Sequence, residues 1–218
     1  MDQRRRRVAN RKIIKIKRST RYSDRIIIIL DDKSVFRVPE DVFVLNILHE
    51  GDEITTKEIK SYGKKMRLQE ARDSANRLLG FRMRSVFEMK RRLKEKDFDQ
   101  EEIDHTIQNL INKNLLNDEE FGRAFVKEKV RNKKIGPRAL KKEIYQHNLP
   151  TELTESLIQE VYDDYSPKAL IESHLTKKRI KRKTIITEKD KKRLTDFLMR
   201  KGFYWDSIRD VYHDWELI

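Results

Sequence analysis

The sequence predicts a mainly α-helical protein of three tandem three-helix repeats in an elongated array, preceded by a small extension of β-hairpin or meander strands and one helix. Each repeat has the size of a helix-turn-helix unit. A pattern of helix end, turn with one large apolar residue and new helix recurs at intervals of 51 and 54 residues, at Leu93, Ile144 and Leu198. Only 6 glycines and 4 prolines occur among 218 residues, which favours helix. The longest β-branched runs lie before residue 40.

The first 54 residues differ in kind from the rest of the chain. Residues 1–11 are basic and polar, and they are predicted to form an arm that is disordered until it meets a partner. Residues 12–54 are predicted to hold the strands and one helix. β-branched runs at residues 13–17, 25–30 and 34–38 predict the strands, and an Asp-rich turn separates the last two.

The helix of this extension is predicted to open at Pro39 and to end at Gly51, with Val42, Leu45 and Leu48 on it.

Repeat one is assigned to residues 55–116, including a leading helix. Ser85 and Glu88 have the spacing of a capping box, which predicts a helix start. Its apolar residues recur at helical spacing and predict three buried stripes: Ala71, Ala75, Leu78 and Leu79; Val86, Met89 and Leu93; Ile103, Ile107, Leu110 and Ile111.

Repeat two is assigned to residues 117–163. Asn117 followed by three acidic residues predicts a helix start, and Pro137 and Pro150 each suit the opening of a further helix. The residues predicted to face inward are Phe121, Ala124, Phe125, Leu140, Ile144, Leu153, Leu157 and Val161.

Repeat three is assigned to residues 164–218. Ser166 before Pro167 predicts its first helix, and Thr187 with Asp190 predicts the cap of its second. Residues 177–183 contain six basic side chains and indicate a break or a basic helix end. The residues predicted to face inward are Ala169, Leu170, Leu175, Leu194, Phe197, Leu198, Ile208 and Val211.

The charge of the chain indicates its class of partner. The net charge is +14 and the isoelectric point is near 9.8. Lysine and arginine side chains displace counterions from phosphate, so a surface of this composition is expected to bind nucleic acid or an acidic protein surface. The alternative interpretation is that these cations line solvated helix faces and pair with acidic residues one turn away.

The sequence contains no pattern that predicts catalysis. The absence of cysteine excludes disulfides, thiolate zinc sites and cysteine nucleophiles. No two histidines have the spacing of a helical metal site, and the glycines do not form a phosphate-binding loop. We therefore expect a protein that is not an enzyme and has no cofactor or metal. A small nuclease remains a third hypothesis, to be tested by incubating labelled DNA with Mg²⁺ or Mn²⁺.

No apolar segment has the length of a signal peptide or a membrane span, so a cytoplasmic protein without membrane contact is expected.

The basic residues are concentrated in repeats one and two, above all around the first two helices of repeat two. From this concentration we predict a surface that binds phosphate or an acidic protein. Its candidate residues are Arg82, Arg84, Lys90, Arg91, Arg123, Lys127, Arg131, Lys133, Lys134, Arg138, Lys141 and Lys142.

Repeat two also carries a recognisable signature. Residues 118–126 (DEEFGRAFV), then Arg131, then residues 136–144 (GPRALKKEI) resemble the RecX family of bacterial regulators of the RecA recombinase.

Repeat one resembles the first repeat of that family in Arg84-Ser85, Glu88 and Arg92-Leu93. The resemblance extends over about residues 70–215. Asp97 stands where the turn of the family usually has glycine, which implies a turn that lacks a residue free to adopt positive φ.

The resemblance implies a regulator, mainly negative, of RecA-mediated recombination and of the SOS response. Such a protein binds in the groove of the RecA filament on single-stranded DNA and inhibits ATP hydrolysis, strand exchange and coprotease activity. The implied partners are the RecA nucleoprotein filament and single-stranded DNA, with duplex DNA left open, and a monomer is expected. The alternative is a helical-repeat protein that binds DNA or RNA directly, without RecA.

Overall fold

The structure, a computed structural model, describes residues 10–217 and confirms the mainly α-helical class with three tandem three-helix repeats. The four strands are β1 (Asn10–Arg18), β2 (Arg25–Leu30), β3 (Val35–Pro39) and β4 (Glu53–Thr55). The first four helices are α1 (Glu40–Leu45), α2 (Thr56–Phe81), α3 (Val86–Lys94) and α4 (Gln100–Asn112). The next three are α5 (Asp118–Glu128), α6 (Pro137–Tyr145) and α7 (Thr151–Asp164), and a π-helical turn (Lys129–Lys133) follows α5 directly. The last three are α8 (Pro167–Lys177), α9 (Glu188–Arg200) and α10 (Trp205–Asp214).

The chain forms two compact units. Among the described residues, the first contains residues 10–81 together with Lys90–Leu110, and the second contains Arg82–Met89 with residues 111–217. In the part of the chain that the structure describes, no helix is long and apolar enough to cross a bilayer.

The N-terminal strands form an antiparallel sheet in the order β3-β2-β1-β4. Ile26 and Ile28 of β2 are buried while Ile27 and Ile29 are half-buried, so the run of four isoleucines is covered on both faces. The three predicted strands are therefore confirmed. β4 was not predicted, because only one of its three side chains, Ile54, is buried and the segment has no alternating pattern.

The predicted N-terminal arm overlaps the sheet. Asn10 and Arg11 are the first residues of β1, where they pair with Thr55 and Ile54 of β4. The rest of the predicted arm, residues 1–9, lies outside the described residues.

Helix α1 is shorter than the sequence indicates. It ends at Leu45, so the prediction of a helix that carries Leu48 and ends at Gly51 is wrong. The chain then returns to the sheet, where Gly51, at φ 99°, donates its N–H to the carbonyl of Ile13 and leads into β4. Leu48 still packs against the apolar core of the sheet.

The recurring turn has the same backbone conformation in all three repeats. Asp97, Asn148 and Gly202 adopt φ of 60°, 49° and 90°, one residue before the large apolar residue of each turn. This is the left-handed cap that closes many helices. The implication that repeat one lacks such a residue is therefore wrong, because Asp97 adopts the conformation itself.

Replacing Asp97 by glycine is expected to raise the free energy of unfolding by about 0.5–1 kcal/mol, since glycine adopts positive φ without the steric cost that a Cβ imposes. Urea denaturation of the variant and the parent measures the change. Asn148→Gly should shift stability in the same direction. A loss of stability in both variants would contradict this account of the turn.

The second and third repeats share one apolar core that extends from Phe121 to Leu217. Helix α5 meets α7 through Gly122, where an added Cβ would lie 2.4 Å from a methyl carbon of Leu157. Ala124, about 200° further around the helix, is consequently exposed, and its predicted inward position is wrong.

Four other positions refine the predicted core. Phe125 is half-buried, and Ala169 is exposed whereas Ile171, which was not predicted, is fully buried. In repeat one, Ile111 is 41% exposed, so it does not extend the third stripe.

Candidate nucleic-acid interface

The segment before α3 uses its arginines for structure. Ser85 accepts a hydrogen bond from the backbone N–H of Glu88 at 3.1 Å, which is half of the predicted capping box. The Glu88 carboxylate does not complete the box, because both Arg82 and Arg84 donate to it. Arg84 is only 9% exposed and Glu88 only 4%. Arg84 is therefore buried and does not belong to the exposed basic surface that the sequence predicts.

The pKa of the Glu88 carboxyl lies below its ordinary value of 4.5. Burial by itself would raise this pKa, but the hydrogen bonds and charges of Arg82 and Arg84 outweigh burial. The carboxylate is thus ionised at neutral pH, and it neutralises one of the two arginines.

Two other candidates lie on exposed parts of repeat one and are paired. Lys90 contacts Asp104 at 3.0 Å, and Arg91 lies 3.6 Å from Glu95. Exposed pairs of this kind are weak, so both cations remain accessible to a stronger anion.

Several cations of repeat two are paired across helices. Lys129 and Lys133 of the π-helical turn contact Glu143 of α6 at 2.7 and 3.1 Å. Burial alone would raise the pKa of Glu143, but the two lysines hold it below its ordinary value. These contacts join the π-helical turn to α6.

The first helix of repeat two also binds the third through a cation. Arg123 of α5 contacts Glu119 at 3.0 Å and also Glu160 of α7. The cavity beside this contact, about 310 Å³, contains Asp164 and two glutamates as well as two cations. This mixture of charges makes it a poor phosphate site.

Four predicted cations of repeat two are exposed and form no ion pair with the acidic side chains among residues 10–217. We call them the free repeat-two cations. They are Lys127, Arg131, Arg138 and Lys142. Lys141 is almost unpaired, because its ammonium group lies 3.9 Å from the carboxylate of Glu155. Unpaired surface cations are free to neutralise the phosphates of a polyanion and so to release its condensed counterions.

Lys134 lies at the junction of repeats two and three. It ends the π-helical turn at φ 50°, its ammonium group donates to the Ser173 hydroxyl, and its carbonyl contacts Nε2 of His174 at 2.7 Å. A half-buried lysine with these partners supports the junction, and it contributes less to an exposed surface than the sequence indicates.

The same junction fixes the start of α6. Gly136 donates its N–H to the carbonyl of Lys201 at 2.8 Å, and Arg138 donates its N–H to the carbonyl of Gly202 at 3.0 Å. The backbone of repeat three therefore sets the position of Arg138. Sequence reasoning found Arg138 itself but not this support, for which the paired glycines at 136 and 202 were the available signal.

No group of three or more histidine, aspartate or glutamate side chains is placed to hold a metal ion within residues 10–217.

Comparison with known proteins identifies similar chains. The family model for the first three-helix domain of RecX matches residues 71–110. The regulatory protein RecX of Bacillus subtilis is 32% identical over 202 residues, which cover 90% of this chain and 74% of that protein. RecX of Lactobacillus gasseri is 30% identical over 153 residues, and the match spans 70% of this chain but only 55% of that protein. A crystal structure of a regulatory protein RecX has the same fold, with a TM-score of 0.67 at 21% identity over 93% of this chain and 97% of that one.

Proposed function

This chain belongs to the RecX family of regulatory proteins, and from that premise we propose that it regulates RecA, mainly as an inhibitor, by binding along the RecA filament on single-stranded DNA. Bound there, it suppresses ATP hydrolysis, strand exchange and coprotease activity, and so restrains recombination and the SOS response. It acts as a cytoplasmic monomer, by binding and without chemistry of its own.

The free repeat-two cations carry this proposal. Four exposed basic side chains without ion-pair partners among the described residues lie on α5, the π-helical turn and α6, close together in the chain. A filament on single-stranded DNA offers phosphates to such cations, and their binding to phosphate is favoured by counterion release. The paired cations, by contrast, must first leave their carboxylates.

A regulator of this kind needs no catalytic group. Helical repeats present side chains on successive units, so one chain contacts several sites of a polymer. Contacts to more than one RecA protomer would hold those protomers in one arrangement, and a protomer held in this way would not complete its cycle of ATP hydrolysis.

The direct test uses RecA filaments formed on single-stranded DNA before the protein is added. We expect ATP hydrolysis to fall when the protein is present at a stoichiometric amount. Unchanged hydrolysis, with the protein shown by sedimentation to be folded and monomeric, would refute the proposal.

Reversing the charge of two free repeat-two cations tests whether these residues bind the filament. We expect Arg131→Glu/Arg138→Glu to require at least about tenfold more protein for half-maximal inhibition of ATP hydrolysis, because two attractive phosphate contacts become repulsive. The matched control is Lys57→Glu/Lys60→Glu, which makes the same charge change at two exposed positions of α2. Equal losses in both variants would show that only total charge matters, and circular dichroism checks that both remain folded.

The alternative, direct binding of DNA or RNA without RecA, rests on the same cations. Affinity for bare single-stranded DNA measured across salt concentrations separates the two functions. A large gain in affinity when RecA coats the strand favours the filament, whereas equal affinity for bare and coated DNA favours direct binding.

A further inference from the structure

Repeat three contains a basic cavity whose residues were not among the predicted binding residues. The cavity measures about 360 Å³ and is lined by His174, Lys177, Lys178, Phe197 and Lys201. The C-terminal end of α8 and the residue after it contribute the first three of these residues, and α9 with the turn after it contributes the last two.

The charge of this cavity is positive and uncompensated. None of its three lysines forms an ion pair with an acidic side chain in the described part of the chain. Instead, two ammonium groups lie over the ring of Phe197, with Lys178 Nζ 4.4 Å and Lys201 Nζ 5.9 Å from its centroid. Cation–π contacts of this kind are weak at exposed sites, so an anion readily draws the lysines away from the ring.

One wall of the cavity is formed by the packed rings of His174 and Phe197. His174 is buried, bonds through Nε2 to the carbonyl of Lys134, and packs perpendicular to the ring of Phe197 at a centroid distance of 5.4 Å. Burial lowers the pKa of His174, and the neighbouring lysines lower it further although the bond to the Lys134 carbonyl opposes them. The histidine is therefore neutral at physiological pH and supports the ring.

We propose that this cavity, the repeat-three lysine pocket, binds one nucleotide of single-stranded nucleic acid. The ammonium groups of Lys177, Lys178 and Lys201 contact the phosphates, and the ring of Phe197 offers its face to the base. The inference rests on the proposed function, because it assigns a further part of the same nucleic-acid surface.

The size and chemistry of the pocket favour a nucleotide over a bare anion or an acidic peptide. Its volume falls within the range of small-molecule sites, about 300–1,000 Å³, so it is larger than a phosphate needs. Cations that surround an aromatic ring match a phosphate and a base together. The carboxylates of an acidic peptide would pair with the lysines but would leave the ring of Phe197 without a contact.

One wall of the pocket contacts the residue that follows the π-helical turn. Lys134, next to the π-helical turn, binds Ser173 and His174, so the wall of the pocket is tied to the segment that carries Arg131 and Arg138. A strand that follows the cations of repeat two thus has a further contact site in repeat three.

The test compares two double variants for binding of a labelled oligothymidylate across salt concentrations. The first, Lys178→Gln/Lys201→Gln, removes two charges from the pocket. The control, Lys189→Gln/Lys192→Gln, removes two from exposed positions of α9 outside it. We expect the slope of log affinity against log salt to fall by about 1.4 in the first variant, two contacts at about 0.7 each. Little change is expected in the control.

Stacking is tested separately with Phe197→Leu, which keeps an apolar side chain beside His174. We expect at least about fivefold weaker binding of the oligothymidylate, with the salt slope unchanged. We also expect thymidine monophosphate to displace the oligothymidylate at lower concentration than inorganic phosphate does. If the two compete equally, the pocket binds phosphate only and the stacking contact is refuted.

The results that would refute the pocket differ from those that would refute the proposed function. If the two double variants lose the same part of the salt slope while the parent inhibits RecA, the pocket is refuted and the function stands. If an acidic peptide displaces the oligothymidylate better than thymidine monophosphate does, the pocket is a protein site and the inference is overturned. A parent that leaves RecA unaffected refutes the proposed function whatever the pocket binds.

Discussion

Replacing Glu88 by glutamine is expected to lower the free energy of unfolding by about 3–5 kcal/mol. The substitution keeps the shape of the side chain but removes the charge that Arg82 and Arg84 share. Arg84 is 9% exposed, so the charge of Glu88 is removed beside a buried guanidinium. A buried charge that loses its partner costs far more than the pair itself contributes, which is why the effect is large.

Denaturation by urea measures this loss, and Glu95 supplies the control. Glu95 is exposed and pairs with Arg91 and Arg92. Glu95→Gln should therefore change stability by less than about 1 kcal/mol. Similar midpoints for both variants would show that the Glu88 cluster is not a buried ion pair in solution.

The same cluster predicts a dependence on pH. The pKa of Glu88 is lower in the folded protein than in the unfolded chain, where it is near 4.5. The stabilisation is therefore complete above the unfolded pKa and is lost as the pH falls through the folded pKa. We expect the difference in stability between the parent and Glu88→Gln to be constant above about pH 6 and to shrink below about pH 4.5. A difference that stays constant into acid would contradict the assignment.

The outcome at Arg82 and Arg84 shows why charge in a sequence identifies a binding surface only in part. Both arginines fit the predicted basic surface, and the sequence also shows Glu88 four residues after Arg84 and six after Arg82. Whether such a carboxylate completes a cap or neutralises arginines depends on burial, and burial depends on contacts from distant parts of the chain. The free repeat-two cations Arg131 and Arg138 are exposed and form no ion pair among residues 10–217, which the sequence alone does not show.

The fold was more predictable than the surface. The periodic apolar residues and the N-cap residues Asn117 and Thr187 predict where the helices lie. Helix caps and apolar stripes are local properties of the chain, so the sequence shows them directly. The π-helical turn was not predicted, since one extra residue per turn leaves no signature in a short basic segment. Ala124 was misplaced because the close approach of Gly122 to Leu157 decides which side of α5 is inward.

Gly202→Ala is expected to cost about 3–5 kcal/mol of stability, from two independent causes. Gly202 has φ of 90°, a conformation that an alanine adopts only with strain, and a Cβ there would lie 2.3 Å from the backbone nitrogen of Ala139. The facing residue, Gly136, is equally close, since its own Cβ would lie 2.5 Å from the carbonyl carbon of Gly202. Neither backbone can move without breaking the hydrogen bonds of this junction.

Gly80→Ala provides a control of opposite sign. Gly80 lies in α2 with no atom within 4 Å of an added Cβ, so alanine should raise stability there by up to about 1 kcal/mol. Thermal unfolding of the two variants beside the parent measures both shifts. If Gly202→Ala is as stable as the parent, repeats two and three do not meet at Gly136 and Gly202 as described.

The junction also links stability to the proposed function. The carbonyl of Gly202 accepts the N–H of Arg138, so a residue that displaces this backbone also displaces a free repeat-two cation. We expect Gly202→Ala, assayed at a temperature where it is fully folded, to inhibit RecA less than the parent does, and Gly80→Ala to inhibit it equally. Full inhibition by a folded Gly202→Ala variant would show that the position of Arg138 does not matter, and the cation surface would then have to lie elsewhere on the repeats.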